Sequence, residues 1–120
     1  MSEGQIRISH TSTVIYINLD GGEKAYLKYE VVDNIMKLIE TYTPLKYRGR
    51  GLAAMLVEYA IDLAKKNNWK IEPVCSYTIY YFMKHHDKRD ILVDTYKNLS
   101  EEEWRALFER ARSLEAMKSG

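Results

Sequence analysis

Apolar and polar residues alternate along the first third of the chain, and then the period changes. Thr13–Leu19 (TVIYINL) puts Ile15, Ile17 and Leu19 on one face, the two-residue period of a strand with one buried side. Lys24–Val31 (KAYLKYEV) sets Ala25, Leu27, Tyr29 and Val31 against Tyr26, Lys28 and Glu30. Ile35–Thr43 (IMKLIETYT) predicts a third strand, which Pro44 ends by removing a ladder donor. Asp20–Gly22 and Val32–Asn34 supply the turns between these runs. Gln5–Ser9 (QIRIS) reads as a short strand or a mobile arm. The front half is therefore expected to be an antiparallel meander.

From Gly51 to Lys66 the repeat becomes helical. Leu52, Met55, Leu56, Tyr59, Ala60 and Leu63 fall on one stripe. Lys65 and Lys66 suit a helix C-terminus, and Asn67–Asn68 stops it. Trp69–Val74 (WKIEPV) predicts a short buried strand, parallel to a neighbour because it follows a strand and a helix. Ser76–His86 predicts a second helix, with Tyr77, Tyr81 and His85 on one stripe. Asp90–Tyr96 (DILVDTY) reads as a last strand or extended piece. A final helix follows Ser100, its N-cap, with Glu103 completing a capping box. Trp104, Leu107, Phe108, Ala111 and Leu114 form its apolar face.

At 120 residues the chain suits one core. A net charge of +1 argues against a nucleic-acid binder held by its overall field. No apolar run is long enough to span a membrane, and the start lacks a signal-peptide layout. The single cysteine, Cys75, excludes an internal disulfide. These features predict a cytoplasmic protein that partners neither nucleic acid nor membrane. Ten tyrosines against two phenylalanines suit a core edge, or a polar pocket.

Candidate chemistry concentrates in Arg48–Ala53 (RGRGLA), where strand gives way to helix. The first N–H groups of a helix lack intrahelical partners and carry partial positive charge. A phosphate can satisfy several at once, and glycines let the backbone approach it. The plain alternative is a glycine turn with solvated arginines. A P-loop is excluded, because no Lys-Ser/Thr pair follows the second glycine. Gly49–Ala54 fits the spacing of a dinucleotide fingerprint. However, the preceding strands form a meander, the connection is too long, and Glu72 falls inside its strand.

The loop resembles the R/Q-x-x-G-x-G/A segment of the GNAT acyltransferase superfamily. Glu40–His86 is similar to the small YjdJ-type branch of GNAT-like N-acetyltransferases. The shared features are a Thr-Tyr-x-Pro strand end, R-G-x-G, a helix, a P-x-C-x-Y strand end and a tyrosine-bearing helix. The resemblance covers about Tyr16–Val93. It implies an α/β (α+β) minimal GNAT-like fold, in which a meander leads to a splayed parallel strand pair with flanking helices. The acetyltransferase domain would span 1–96, and 97–120 would be a helical extension packed on it. Acetyl-CoA would place its pantetheine arm between the strands Ile35–Thr43 and Trp69–Cys75. Its diphosphate would rest on Arg48, Gly49, Arg50, Gly51, Leu52 and Ala53. Thr43, Cys75, Tyr77, Tyr81 and Lys84 would complete the coenzyme A site. The superfamily's usual Gln or Arg is replaced by Lys46, which cannot copy a bidentate contact.

Acyl transfer to an amine needs a base for the amine, a stabilised carbonyl oxygen and a proton for the leaving thiolate. Cys75 is a candidate nucleophile or pocket residue; a reactive one is expected beside the start of the Ser76 helix. Tyr81 matches the superfamily's tyrosine that protonates the thiolate, and core packing is its alternative role. Glu40 is a candidate base or a surface carboxylate. His85 is a candidate base or phosphate partner, and the basic turn Lys84–Arg89 could meet the 3′-phosphate. Consecutive His85, His86 and Asp87 point in different directions, so no metal site is expected. The expected function is acetyl-CoA-dependent acetylation of a small-molecule or protein amine, with room for a homodimer that completes the site. The alternatives are a non-catalytic CoA-binding module, or an interaction domain docking through the Trp104 helix.

Overall fold

The computed structural model describes residues 6–119. Its sheet has five strands in chain order: β1 (Ile8–His10), β2 (Val14–Asn18), β3 (Lys24–Val32), β4 (Ile35–Tyr42) and β5 (Lys70–Pro73). The first four pair antiparallel, and β5 joins β4 in parallel. Of the expected first segment, Gln5 lies outside the described residues. Ile8 and Ser9 enter the sheet at its edge as β1, which runs on to His10, whereas Ile6 and Arg7 precede the strand.

Alternation decides what each strand buries. Ile15 and Ile17, then Ala25 and Leu27, then Met36 and Leu38 are fully buried. Lys28, Glu40 and Tyr42 point the other way and stay exposed. The β3–β4 turn is two residues long, with Asp33 and Asn34 at φ 53° and 64°. Both are left-handed, the geometry whose twist suits a tight hairpin.

α1 (Leu52–Asn67) packs on the apolar face. Leu52, Leu56 and Ala60 are buried as the stripe predicts, together with Val57, Ile61 and Ala64. Met55, Tyr59 and Leu63 only flank the core. The buried face is therefore turned slightly from the stripe read in the sequence. Left-handed Asn68 ends the helix by donating to the Ala64 and Lys65 carbonyls.

α2 (Ser76–Lys84) is two residues shorter than expected. The segment Asp90–Tyr96 is not a strand. A 3-10 helix spans His86–Ile91, one bridge joins Leu92 to Ile71, and α3 (Asp94–Lys97) follows. Ile91 and Leu92 are consecutive and both buried, which an extended chain with one covered face cannot achieve. Arg89 holds this turn to α2 by donating to the Phe82 and Met83 carbonyls.

α4 (Glu101–Ser119) begins with the expected capping box. Ser100 N–H donates to Glu103 Oε1 at 2.8 Å, and Glu103 N–H to Ser100 Oγ at 3.1 Å. The helix packs along α2, with Trp104 fully buried and the Tyr80 and Phe108 rings 6.1 Å apart. Leu114, expected on the apolar face, is 50% exposed, because α4 turns Glu115 toward α2 there. Among the described residues no helix is long and apolar enough to cross a membrane.

Burial of Trp104 makes α4 part of the core, not a detachable docking arm. Trp104→Ala is expected to cost roughly 3–5 kcal/mol. Urea unfolding should show this as a lower midpoint at unchanged slope. An unchanged midpoint would return α4 to a docking role.

Candidate functional site

The site begins where β4 loses a neighbour. β4 and β5 pair from Ile35–Lys70 to Leu38–Pro73 and no further. The Leu38 carbonyl then accepts both Val74 N–H at 3.0 Å and Cys75 N–H at 3.1 Å. Beyond this point β4 continues to Tyr42, paired with β3 alone. Its pairing with β3 slips between Tyr29–Leu38 and Lys28–Glu40, leaving Ile39 as an extra residue. Such a bulge bends its strand and increases the twist. The parallel strands thus part after Leu38, and β5 turns into α2 at Cys75.

A two-part cleft opens there. The outer part, about 640 Å³, runs from Thr41–Thr43 past Arg48 to the start of α1, with Ser76, Tyr77 and Glu115 opposite. The inner part, about 450 Å³, reaches Ile39, Glu40 and Cys75.

The glycine loop forms the outer wall. Gly49 and Gly51 have φ of 81° and 80°, a region that disfavours other residues. A Cβ on either would meet nothing within 4 Å, so each faces open space. The first hydrogen bond of α1 runs from Met55 N–H to Gly51 O. Among the described residues, the N–H groups of Gly51 to Ala54 find no acceptor in the protein. That leaves consecutive donors at the positive end of a sixteen-residue helix, bordering the cleft. Diphosphate chemistry fits them.

The cationic side chains are arranged unequally. Arg48 lines the cleft, its Nε donating to the Thr43 carbonyl at 2.8 Å. Arg50 lies over the Tyr47 ring instead. Lys46 is ion-paired with Glu23 at 3.5 Å and also lies over Tyr47. The non-matching residue of the motif is therefore engaged within the protein. Lys84, exposed on the last turn of α2, lies over Tyr80 and outside the cleft lining.

Cys75 is buried at the N-cap of α2, at the inner end of the cleft. Its Sγ is 3.4 Å from Thr78 Oγ1 and 3.9 Å from Thr41 Oγ1. Thr78 is committed to donating to the Cys75 carbonyl at 2.9 Å. Glu40, also in the inner part, accepts from the Tyr26 hydroxyl at 3.0 Å and lies 4.0 Å from Lys28 Nζ. Tyr77 lines both parts, whereas Tyr81 and His85 line neither. The Tyr81 ring is 1% exposed and stacks on His85 at 4.1 Å, with its buried hydroxyl unpartnered. His85 Nδ1 is bonded to the Tyr81 carbonyl at 2.8 Å. Among the described residues no three His, Cys, Asp or Glu side chains converge as a metal site.

The sequence reading missed Thr41, Thr78, Ser76 and Glu115. Alternation from the buried Leu38 would have found Thr41 only with the bulge known. Glu115 carries no local signal, since it meets Ser76 across 39 residues: its Oε2 accepts Ser76 N–H at 2.8 Å and its Oε1 accepts the Ser76 hydroxyl at 2.7 Å.

Burial pushes the Tyr81 phenol up to about 12, with the Glu58 charge adding to the shift. A raised folded pKa means stability that is whole below the unfolded value and is lost as pH rises to the folded one. Wild type should therefore lose on the order of 2 kcal/mol more than Tyr81→Phe between about pH 10 and 12. Near neutral pH, Tyr81→Phe should be no less stable than wild type, since it removes an unpartnered buried hydroxyl. Denaturant melts across that range check both expectations, and a destabilised variant at pH 7 contradicts the second.

Comparisons with known proteins agree with this architecture. A family model described as GCN5-related N-acetyl-transferase matches residues 14–91. A GCN5-like protein from Staphylococcus aureus, solved in solution by NMR, has a similar fold with a TM-score of 0.58. It is 24% identical, and the match covers 72% of this chain and 87% of that one. The matched span runs from β2 through the glycine loop, the parted strands and α2 to Ile91, so the chain belongs to the GCN5-related N-acetyltransferase family.

Proposed function

We propose that this chain binds acetyl-CoA in the two-part cleft and transfers its acetyl group to an amine. The observation that carries the reading is the run of unsatisfied N–H groups from Gly51 to Ala54, opening on a cleft that ends at Cys75. The family as a whole generally uses this cofactor. When bound, the thioester supplies an activated acyl carbonyl; the chain's residues bind it and manage protons.

The amides of Gly49 to Ala53 and the Arg48 guanidinium would hold the diphosphate, and the parted edge of β4 would take the pantetheine arm. Thr43 and Tyr77 line the way inward. Cys75 Sγ lies at the inner end, as a wall or as a nucleophile that takes the acyl group while its proton leaves with the departing thiolate. An amine near pKa 10.4 arrives protonated and needs a base. Glu40 is the carboxylate of β4 at that end. The Tyr81 hydroxyl is without a partner in the fold but lies outside the cleft lining, so to protonate the departing thiolate it would have to be reached by a shift of the α2 start or through a bridging water. The acceptor is a small-molecule or protein amine, and a second copy of the chain is a candidate to complete the acceptor side. A second reading, a coenzyme-binding module without catalysis, is favoured by the engagement of Glu40 with Tyr26 and Lys28.

Coenzyme A or acetyl-CoA at 100 times its dissociation constant should add about 2.7 kcal/mol of stability. The melting midpoint should then rise by on the order of 10 °C, with no comparable rise for NAD or ATP. Gly51→Ala places a side chain on a left-handed φ of 80° in the cradle. It should cost about 1 kcal/mol alone and remove most of the ligand-induced rise. Turnover with an amine panel, or an acetyl adduct on Cys75 by intact mass, supports the enzyme. Binding with neither supports the module, and no binding overturns both.

A further inference from the structure

α4 continues past the residues that anchor it. Trp104 is fully buried and Ala111 nearly so, yet every residue from Arg112 to Lys118 is exposed. Met117 is 76% exposed. These last turns still reach back to the site. Both Glu115 carboxylate oxygens are bonded to Ser76, as described above, at the first turn of α2. The two parts of the cleft share Thr41, Ser76, Tyr77 and Glu115. Those residues form its waist, and a ligand stretching from the glycine loop to Cys75 must pass them.

Opposing charges act on Glu115, and Lys118 of the same segment also lines the inner part of the cleft. The positive end of α2 and two charge-assisted hydrogen bonds hold its carboxylate in place. An anion on the neighbouring α1 cradle, lining the same cavity, repels it. The segment carrying it buries little, which marks it as the low-stability end of the fold. It also lies outside residues 14–91, the span that the family model matches.

We propose that the end of α4 is an autoinhibitory strap, latched by Glu115 on Ser76, which closes the waist of the cleft and lifts when a coenzyme A ligand fills it. This rests on the acetyl-CoA reading above. The ligand favours the lifted form because it fills the waist and repels the latch, which is the differential affinity a population shift requires.

The test measures coenzyme A affinity by calorimetry for wild type, Glu115→Ala and a chain ended after Arg112. Amide hydrogen exchange is followed on wild type with and without coenzyme A. Trp104 and Ala111 remain in both variants, so both should fold. Both should bind about ten-fold more tightly, the gain expected when the closed form is favoured about ten to one. In wild type, amides 112–118 should exchange faster once coenzyme A is added, the reverse of ordinary ligand protection. Weaker or unchanged affinity in the variants overturns the strap. So does slower or unchanged exchange at 112–118, even with tighter binding, since removing a charge could tighten binding alone. Equal binding by all three chains overturns the strap and leaves the acetyl-CoA reading standing; no binding by any of them removes both.

Discussion

The site depends on β4 having two strand neighbours up to Leu38 and one beyond it. A parallel pair normally continues until a strand ends. Here the Leu38 carbonyl takes two successive amides, from Val74 and Cys75, and β5 turns into α2. The extra residue Ile39 bends β4 away at the same level. The result is a strand edge with no partner on one side from Ile39 to Tyr42. Unpaired backbone of that kind costs free energy if buried dry, so it must face water or a ligand. The cleft follows from that constraint, and the glycine loop follows from the need to leave β4 and start α1 at its rim.

Electrostatics then distinguishes the two helix starts that face the opening. α1 begins with left-handed Gly51 and has no side-chain cap, so its amides stay available. α2 begins at Cys75, and its first amide is satisfied by Glu115 from α4. One positive end is open and the other is filled by a carboxylate. An anionic ligand is therefore drawn to the α1 side, and Cys75 lies beside a carboxylate-capped helix start, not an empty one. Arg48 adds charge at the open end, while Lys46 is withdrawn by Glu23. Lys46 thus points to Glu23 and the Tyr47 ring, and is not in the lining of the cleft.

Much of this was legible in the sequence. Alternation marked β2 and β3, because a half-buried strand must repeat in twos, and Pro44 marked the end of the β4 run. The glycine pair marked a turn into a helix, and Ser100 with Glu103 marked the start of α4. What failed was set by tertiary packing. Asp90–Tyr96 looks extended, yet two adjacent apolar residues needed burial and the chain coiled to provide it. The bulge at Ile39 leaves no mark in composition, though it re-aims Glu40 and Thr41. Glu115 was unreadable, since its role comes from where α4 ends against α2. Tyr81 illustrates the ambiguity of an aromatic stripe. Its ring is core, as packing alone would give, and its hydroxyl is left without a partner.

The most direct test is a residue-resolved NMR titration of the backbone amides with coenzyme A. The largest shifts are predicted across Gly49–Ala54, at the cradle, and at Ser76, whose amide loses Glu115 if the strap lifts, with smaller ones at Thr41 and Tyr77. The exposed sheet face around Tyr16 and Tyr26 should stay silent. Saturating coenzyme A that leaves Gly49–Ala54 unmoved, or shifts confined to another surface, would contradict it.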